Sequence, residues 1–147
     1  MTAHRKFSDD FQWEGVATRA YKDGDGPYQG VTRQVLFEGE PGLPVEWRYF
    51  EVAPGGHSTL ERHEHLHFVA IARGAGAALI DGAVRAVAPF DLIRVPSLSW
   101  HQFRAAPDAP LGFFCLVAAE RDRPQLPTAQ DVAALGADPA IAAFIRP

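Results

Sequence analysis

Three histidines at alternate positions, His63, His65 and His67, stand beside two carboxylates, Glu61 and Glu64, in the stretch GHSTLERHEHLHFVAIARG between Gly56 and Gly74. Imidazole combined with carboxylate is a donor set that borderline divalent metals favour, so this stretch points to metal binding. The competing reading is a strand whose solvated face happens to carry alternating histidines. Clustering argues against it, because five of the six histidines fall between positions 57 and 101 and only His4 lies apart, near the N-terminus.

Strand geometry constrains how such a site is built. Residues two apart on a strand point the same way with Cα atoms about 6.6 Å apart, so Glu61 and His63 could reach one ion. A straight strand would carry His67 roughly 13 Å beyond His63, too far for metal bonds of about 2.0–2.2 Å. The chain is therefore expected to bend at Glu64, His65 and Leu66, with His67 opening the next strand and His65 on the rim. The remaining candidate, His101, is distant in sequence, as expected where separate strands supply one site.

The elements that must hold these side chains read as strands. From Val31 onward, segments of strand character recur about every 8 to 12 residues, the spacing of all-β sandwiches and barrels: 31–38, 46–53, 66–73, 77–81, 84–88, 92–95, 100–105 and 112–119. Turn residues separate them at 41–44, 54–56, 74–76 and 96–99, and Asp81-Gly82 is the sharpest hairpin signal. Residues 1–30, with the turn-rich KDGDGPYQG, read as an N-terminal arm, 31–119 as the barrel, and 120–147 as a tail of the same domain. In that tail Thr128 with Asp131 predicts a capping box, and Gly136 and Pro139 split two short helices, 129–135 and 139–144.

Composition bounds the rest. The 147 residues, 47% hydrophobic, suffice for one core of moderate size. A net charge of −4, with two lysines and twelve scattered arginines, leaves no basic stripe for a phosphate backbone, so no nucleic acid partner is expected. The longest apolar stretch, 113–119, is far below the roughly 20 residues that cross a bilayer. The N-terminal MTAHRKFSDDF has no signal-like apolar run, so no membrane association and a cytoplasmic location are expected. The lone Cys115, in GFFCLVAA, reads as a buried small hydrophobe.

The spacing resembles the first motif of the small cupins, G-x5-H-x-H-x3,4-E-x6-G, a resemblance that covers about Val31 to Ala119. Glu61, His63, His67 and Gly74 keep its intervals after Pro54-Gly55-Gly56, with Glu61 where the first histidine usually sits and His67 where the glutamate sits. APFDLIRVPSLSWHQF is similar to the second motif, PGDxxxxPxxxxHxF, and His101 matches its histidine. Two departures, Phe90 for the glycine of P-G-D and Leu98 at a place where glycine is common, predict altered local turns. The resemblance implies an all-β cupin double-stranded β-helix (jelly-roll) barrel, with the N-terminal arm and short C-terminal helical tail as additions. It also implies a metal centre of Glu61, His63, His67 and His101. Glu61 has an alternative role as a carboxylate behind the ligands, orienting an imidazole.

Three imidazoles and a carboxylate suit Fe, Mn, Ni, Cu or Zn as a divalent transition metal cofactor. An octahedral ion would keep two open positions, whereas tetrahedral zinc would be closed and structural. The reading that follows from the family is a metal-dependent enzyme of oxygenase or related oxidoreductase type, acting on a small organic molecule inside the barrel. The alternative is a non-catalytic cupin with a structural metal. His57 and His65 are the candidate acid/base groups. Tyr49, Phe68, Val69, Trp100 and Phe103, joined by Trp47 and Phe50, are the candidate pocket walls. Among Arg48, Arg62, Arg73 and Arg94, any that faced inward could clamp a substrate carboxylate in bidentate fashion. A homodimer is expected, paired through a sheet edge or the arm.

Overall fold

The longest strand, β5 (Leu43–His57), organises the molecule because it is paired along both edges. One edge carries β4 (Gln29–Glu40). On the other, β11 (Leu111–Ala118) pairs with residues 45–52, and β10 (Gln102–Ala105) takes over at His57. Adding β6 (His67–Gly74), β7 (Gly76–Ile80), β8 (Ala83–Val87) and β9 (Leu92–Val95) gives the order β8-β7-β10-β5-β11-β6-β9. The computed structural model describes residues 2–147, and its antiparallel sheet curls into a double-stranded β-helix barrel.

Strand alternation decides which side chains enter the barrel. On β11, Leu111, Phe113, Cys115 and Val117 are all buried, and the last three pair with Ile71, Val69 and His67 of β6. Phe68, between two inward residues, is therefore outside and 52% exposed. β7 is buried on both faces: Ala78 and Ile80 join the barrel core, while Leu79 meets a second cluster with Leu60, Ile141, Phe144 and Ile145.

That second cluster docks the tail, helices α1 (Ala129–Leu135) and α2 (Pro139–Phe144), whose bounds coincide with the sequence expectation. Thr128 and Asp131 form the capping box. Fully buried Gln102 pins the chain end: its amide donates to the carbonyls of Ser58 (2.8 Å) and Arg146 (2.9 Å) and accepts from the Arg146 N–H (2.9 Å). Among the described residues no helix is long and apolar enough to cross a membrane.

In the arm, β1 (Phe7–Ser8) pairs with β2 (Gln12–Trp13), and β3 (Arg19–Ala20) extends the sheet beside β4. These two-residue strands carry no readable period, which is why the sequence showed only turns there. Phe11 and Trp13 pack on the outer side of β5, with ring centroids 5.5 and 5.2 Å from that of Tyr49.

Two expectations about turns need correction. Residues 54–56 belong to β5: Gly55 adopts φ +75°, the register with β4 shifts between Gln29 and Val31, and Pro54 is accommodated where the ladder is already interrupted. Phe90 and Leu98 do not alter the backbone type that glycine would give, since both hold left-handed φ, +74° and +58°. Asp81 (φ +51°) and Gly82 (φ +73°) form the expected tight hairpin between β7 and β8.

Candidate metal centre

Backbone pairing first brings the two motifs together. Glu61 and His101 exchange N–H···O=C bonds of 3.2 and 3.0 Å, and the Leu98 N–H donates to the His63 carbonyl at 2.7 Å. The chain bends at Glu64 and His65, and β6 then returns His67 to the same place. The rings of His63, His67 and His101 end with centroids 4.8 to 5.2 Å apart, and one nitrogen from each lies within 4.8 Å of the other two. Given metal–nitrogen bonds of about 2.0–2.1 Å, small side-chain shifts let one ion bridge all three.

The other face of each ring is already engaged. Nδ1 of His63 lies 2.6 Å from the His65 carbonyl and Nδ1 of His101 lies 2.9 Å from the Ser99 carbonyl. A carbonyl only accepts, so each Nδ1 carries the proton and each Nε2 keeps its lone pair. Nδ1 of His67 sits 3.0 Å from Sγ of Cys115, and its Nε2 is buried with no hydrogen-bond partner. A buried polar atom left unmatched costs about 1–3 kcal/mol, and a cation bound by Nε2 of His67 removes that cost. The donor set therefore fits a divalent transition metal.

Burial keeps these imidazoles neutral, the form that binds metal. It pushes His67 down to about 2, helped by the neighbouring His101 and His63 rings, pushes His101 down to about 4, and lowers His63 as well. In the unfolded chain such rings titrate near 6.5, so between about pH 6.5 and 4 the unfolded state binds more protons than the folded one. Stability from this source is fully present above about pH 6.5 and is lost as the pH falls toward 4. Thermal melts of metal-free protein should show a midpoint that declines over this interval and declines less in His67→Gln; equal slopes in the two proteins would contradict the buried neutral rings.

Glu61, the fourth expected ligand, stands outside the converging nitrogens. Its carboxylate is buried and forms an ion pair with Lys22 of the arm, which closes one rim of the site. His65 stacks on His63, with centroids 3.7 Å apart and planes 6° from parallel, and its Nδ1 donates to Asp122 at 2.6 Å. Asp122 also accepts from the backbone N–H groups of Glu64 (2.7 Å) and His65 (2.9 Å), bonds that hold its carboxyl well below the usual carboxylate range. His57 lies away from the cavity, its Nδ1 donating to the Ser58 carbonyl at 3.0 Å.

The three imidazoles open onto a cavity of about 540 Å³. Of the expected walls, Phe103 and Phe50 line it, and the others are placed elsewhere by alternation and by the tail. Trp47, Tyr49 and Phe68 face outward, Val69 is in the apolar core, and Trp100 packs beside the tail helices beneath the Arg62 guanidinium, 4.6 Å from its ring centroid. Lys22, Asp122 and Arg33 at or beside the site had no sequence signal, because each comes from a segment far from both motifs. Cys115 is buried as expected, and burial raises its thiol pKa, yet its sulfur faces the cavity between His67 and Arg48.

Comparison with known proteins places this architecture. The Cupin domain family profile matches residues 48–117, which contain His63, His67 and His101. A 1-methylthio-D-xylulose 5-phosphate methylsulfurylase from Rhodospirillum rubrum is 58% identical over 142 residues, 96% of this chain and 90% of that protein. The crystal structure of a cupin 2 conserved barrel domain protein from Rhodopseudomonas palustris matches with a TM-score of 0.93 at 51% identity, covering 99% of this chain and 100% of that one. A cupin-2 domain protein from Rhodospirillum rubrum matches with a TM-score of 0.87 at 58% identity, covering 96% and 95%. The chain belongs to the cupin superfamily.

Proposed function

We propose that this chain is a metal-dependent enzyme that releases the methylthio group of a small methylthio-sugar phosphate within its barrel. The observation that carries the metal-dependent part is the set of three imidazole nitrogens converging beside a substrate-sized cavity. The substrate class is suggested by the name of the relative that is 58% identical along nearly the whole chain. His63, His67 and His101 would hold the ion, with Glu61 as a fourth ligand if it left Lys22. When bound, the metal supplies Lewis acidity and fixes the orientation of a substrate oxygen. His65, whose Nδ1–H is committed to Asp122, keeps Nε2 as the acceptor for a substrate proton. Phe50, Phe103 and Phe113 supply apolar wall that excludes water.

Metal content of protein purified without chelator, followed by NMR of 1-methylthio-D-xylulose 5-phosphate with water or a small thiol as acceptor, tests this. With water the C1–S bond is exchanged for C1–OH and methanethiol leaves; with a thiol RSH the methylthio group leaves as CH3S–SR and C1 takes the proton. Only with metal-loaded protein should the substrate S-methyl resonance give way to that of one of these products, and an unchanged substrate would refute it. The oxygenase or oxidoreductase reading rests on the same imidazoles, and oxygen uptake in the same assay would favour it. Stoichiometric zinc indifferent to every added ligand would indicate the non-catalytic alternative. The setting proposed is cytoplasmic, with neither nucleic acid nor membrane as partner. Exposed Trp47, Leu116 and Phe68 lie in register across β5, β11 and β6, a row suited to pairing with a second copy. A dimeric mass at micromolar concentration is expected, shifting toward monomer in Leu116→Glu.

A further inference from the structure

Two guanidinium groups inside the barrel have no counter-ion. Arg33 on β4 and Arg48 on β5 both line the cavity, and among the described residues neither is ion-paired to an aspartate or glutamate. The register pairs Val35 with Arg48 and Arg33 with Phe50, so the two arginines are diagonal neighbours on the inner face, with Cβ atoms about 7–8 Å apart. Nε of each is buried and makes no hydrogen bond. Among the described residues, the one side-chain hydrogen bond of Arg48 runs from Nη2 to Sγ of Cys115 at 3.3 Å, and the Arg33 side chain makes none. Arg48 also lies over the Phe50 ring, 4.9 Å from its centroid, a contact that leaves its charge without a counter-ion, whereas Arg73 on β6 is ion-paired with Glu51 and Asp10. Of the carboxylates around the cavity, Glu61 is taken by Lys22, while Asp23 and Asp25 sit on the exposed arm.

Adjacent like charges drawn partly out of water repel each other and lose hydration, an arrangement that an incoming anion relieves. We propose that Arg33 and Arg48 form the phosphate clamp of the substrate site, gripping the dianionic end of the ligand. This rests on the sugar-phosphate reading above. Two planar forks offer enough parallel N–H donors to engage the terminal oxygens of a phosphate monoester, whereas a carboxylate would occupy one fork alone. The clamp stands next to the histidine cluster, since Arg48 touches Cys115 and Cys115 touches His67. A short sugar held by its phosphate would thus present its other end to the three imidazoles.

Calorimetry with D-xylulose 5-phosphate, D-xylulose and inorganic phosphate, on the protein as purified, tests the clamp without requiring turnover. The wild type should bind the sugar phosphate well and the free sugar weakly or not at all. Arg33→Gln and Arg48→Gln should each weaken sugar phosphate binding roughly 10- to 100-fold, the scale of a lost hydrogen bond to a charged group, and the lysine variants should fall between. Arg85→Gln, on exposed β8, should be silent. Metal content and circular dichroism certify each variant, and Arg33→Gln with Arg48→Lys carry the test should Arg48→Gln misfold. Equal binding of the phosphate by wild type and folded variants, or equal binding of sugar and sugar phosphate by wild type, overturns the clamp. Methylthio release with unchanged KM in both variants would also sink the clamp while keeping the proposed activity; arginine-dependent phosphate binding without methylthio release would do the reverse.

Discussion

Replacing His101 by alanine should leave a folded barrel that no longer retains metal. The strand bridge to Glu61 is made by the backbone of residue 101 and survives the substitution, while the ring contributes one of the three converging nitrogens. Changes in the partners that merely orient a ligand typically weaken metal binding 10- to 100-fold, so loss of the ligand itself should exceed about 100-fold and reduce turnover at least in proportion. Elemental analysis of His101→Ala beside His57→Ala checks this. His57 lies off the cavity, and its variant should keep metal. Normal metal content in His101→Ala would remove the basis for the centre.

Gly74→Ala should be the most damaging single methyl added to the barrel. Gly74 ends β6 at φ +84°, and a Cβ there would lie 1.6 Å from the Pro110 carbonyl oxygen, so a rigid backbone must move. The same Pro110 carbonyl accepts the Ala75 N–H at 3.0 Å, which leaves it little room to retreat. Left-handed strain and displacement of a paired backbone together suggest a loss on the order of 3–5 kcal/mol, or roughly 10 °C in melting midpoint for a chain of this length. A midpoint within about 2 °C of wild type, which corresponds to at most about 1 kcal/mol, would show that the close approach is not needed. The substitution should also loosen the centre, because β6 carries His67 at its other end.

These two residues also show why much of the site was legible. Gly74 was marked by turn punctuation and by the motif resemblance, and the bend before His67 by strand geometry: an ion cannot be reached from both His63 and His67 along a straight strand, and the structure bends at Glu64 and His65. Regular period and punctuation marked eight of the strands and both helices, since alternation and caps are local properties. Pro54–Gly56 misled because glycine and proline accompany bulges as readily as turns. Phe90 and Leu98 misled in the opposite direction: a backbone fixed by its pairing held left-handed φ without glycine.

From the chain alone came the strand pattern, the histidine cluster and the likeness to cupins, because these depend on residue types within a few positions of one another. Folding alone decided which side chains share a space: Lys22 from the arm takes Glu61, Asp122 from the tail holds His65, and Arg33 joins Arg48 across two strands. It also moved Tyr49, Phe68 and Trp100 away from the cavity. Inward or outward is a one-residue matter on a strand, but what covers the outward face, and which distant charge arrives at the inner one, is set by long-range packing that no local spacing encodes.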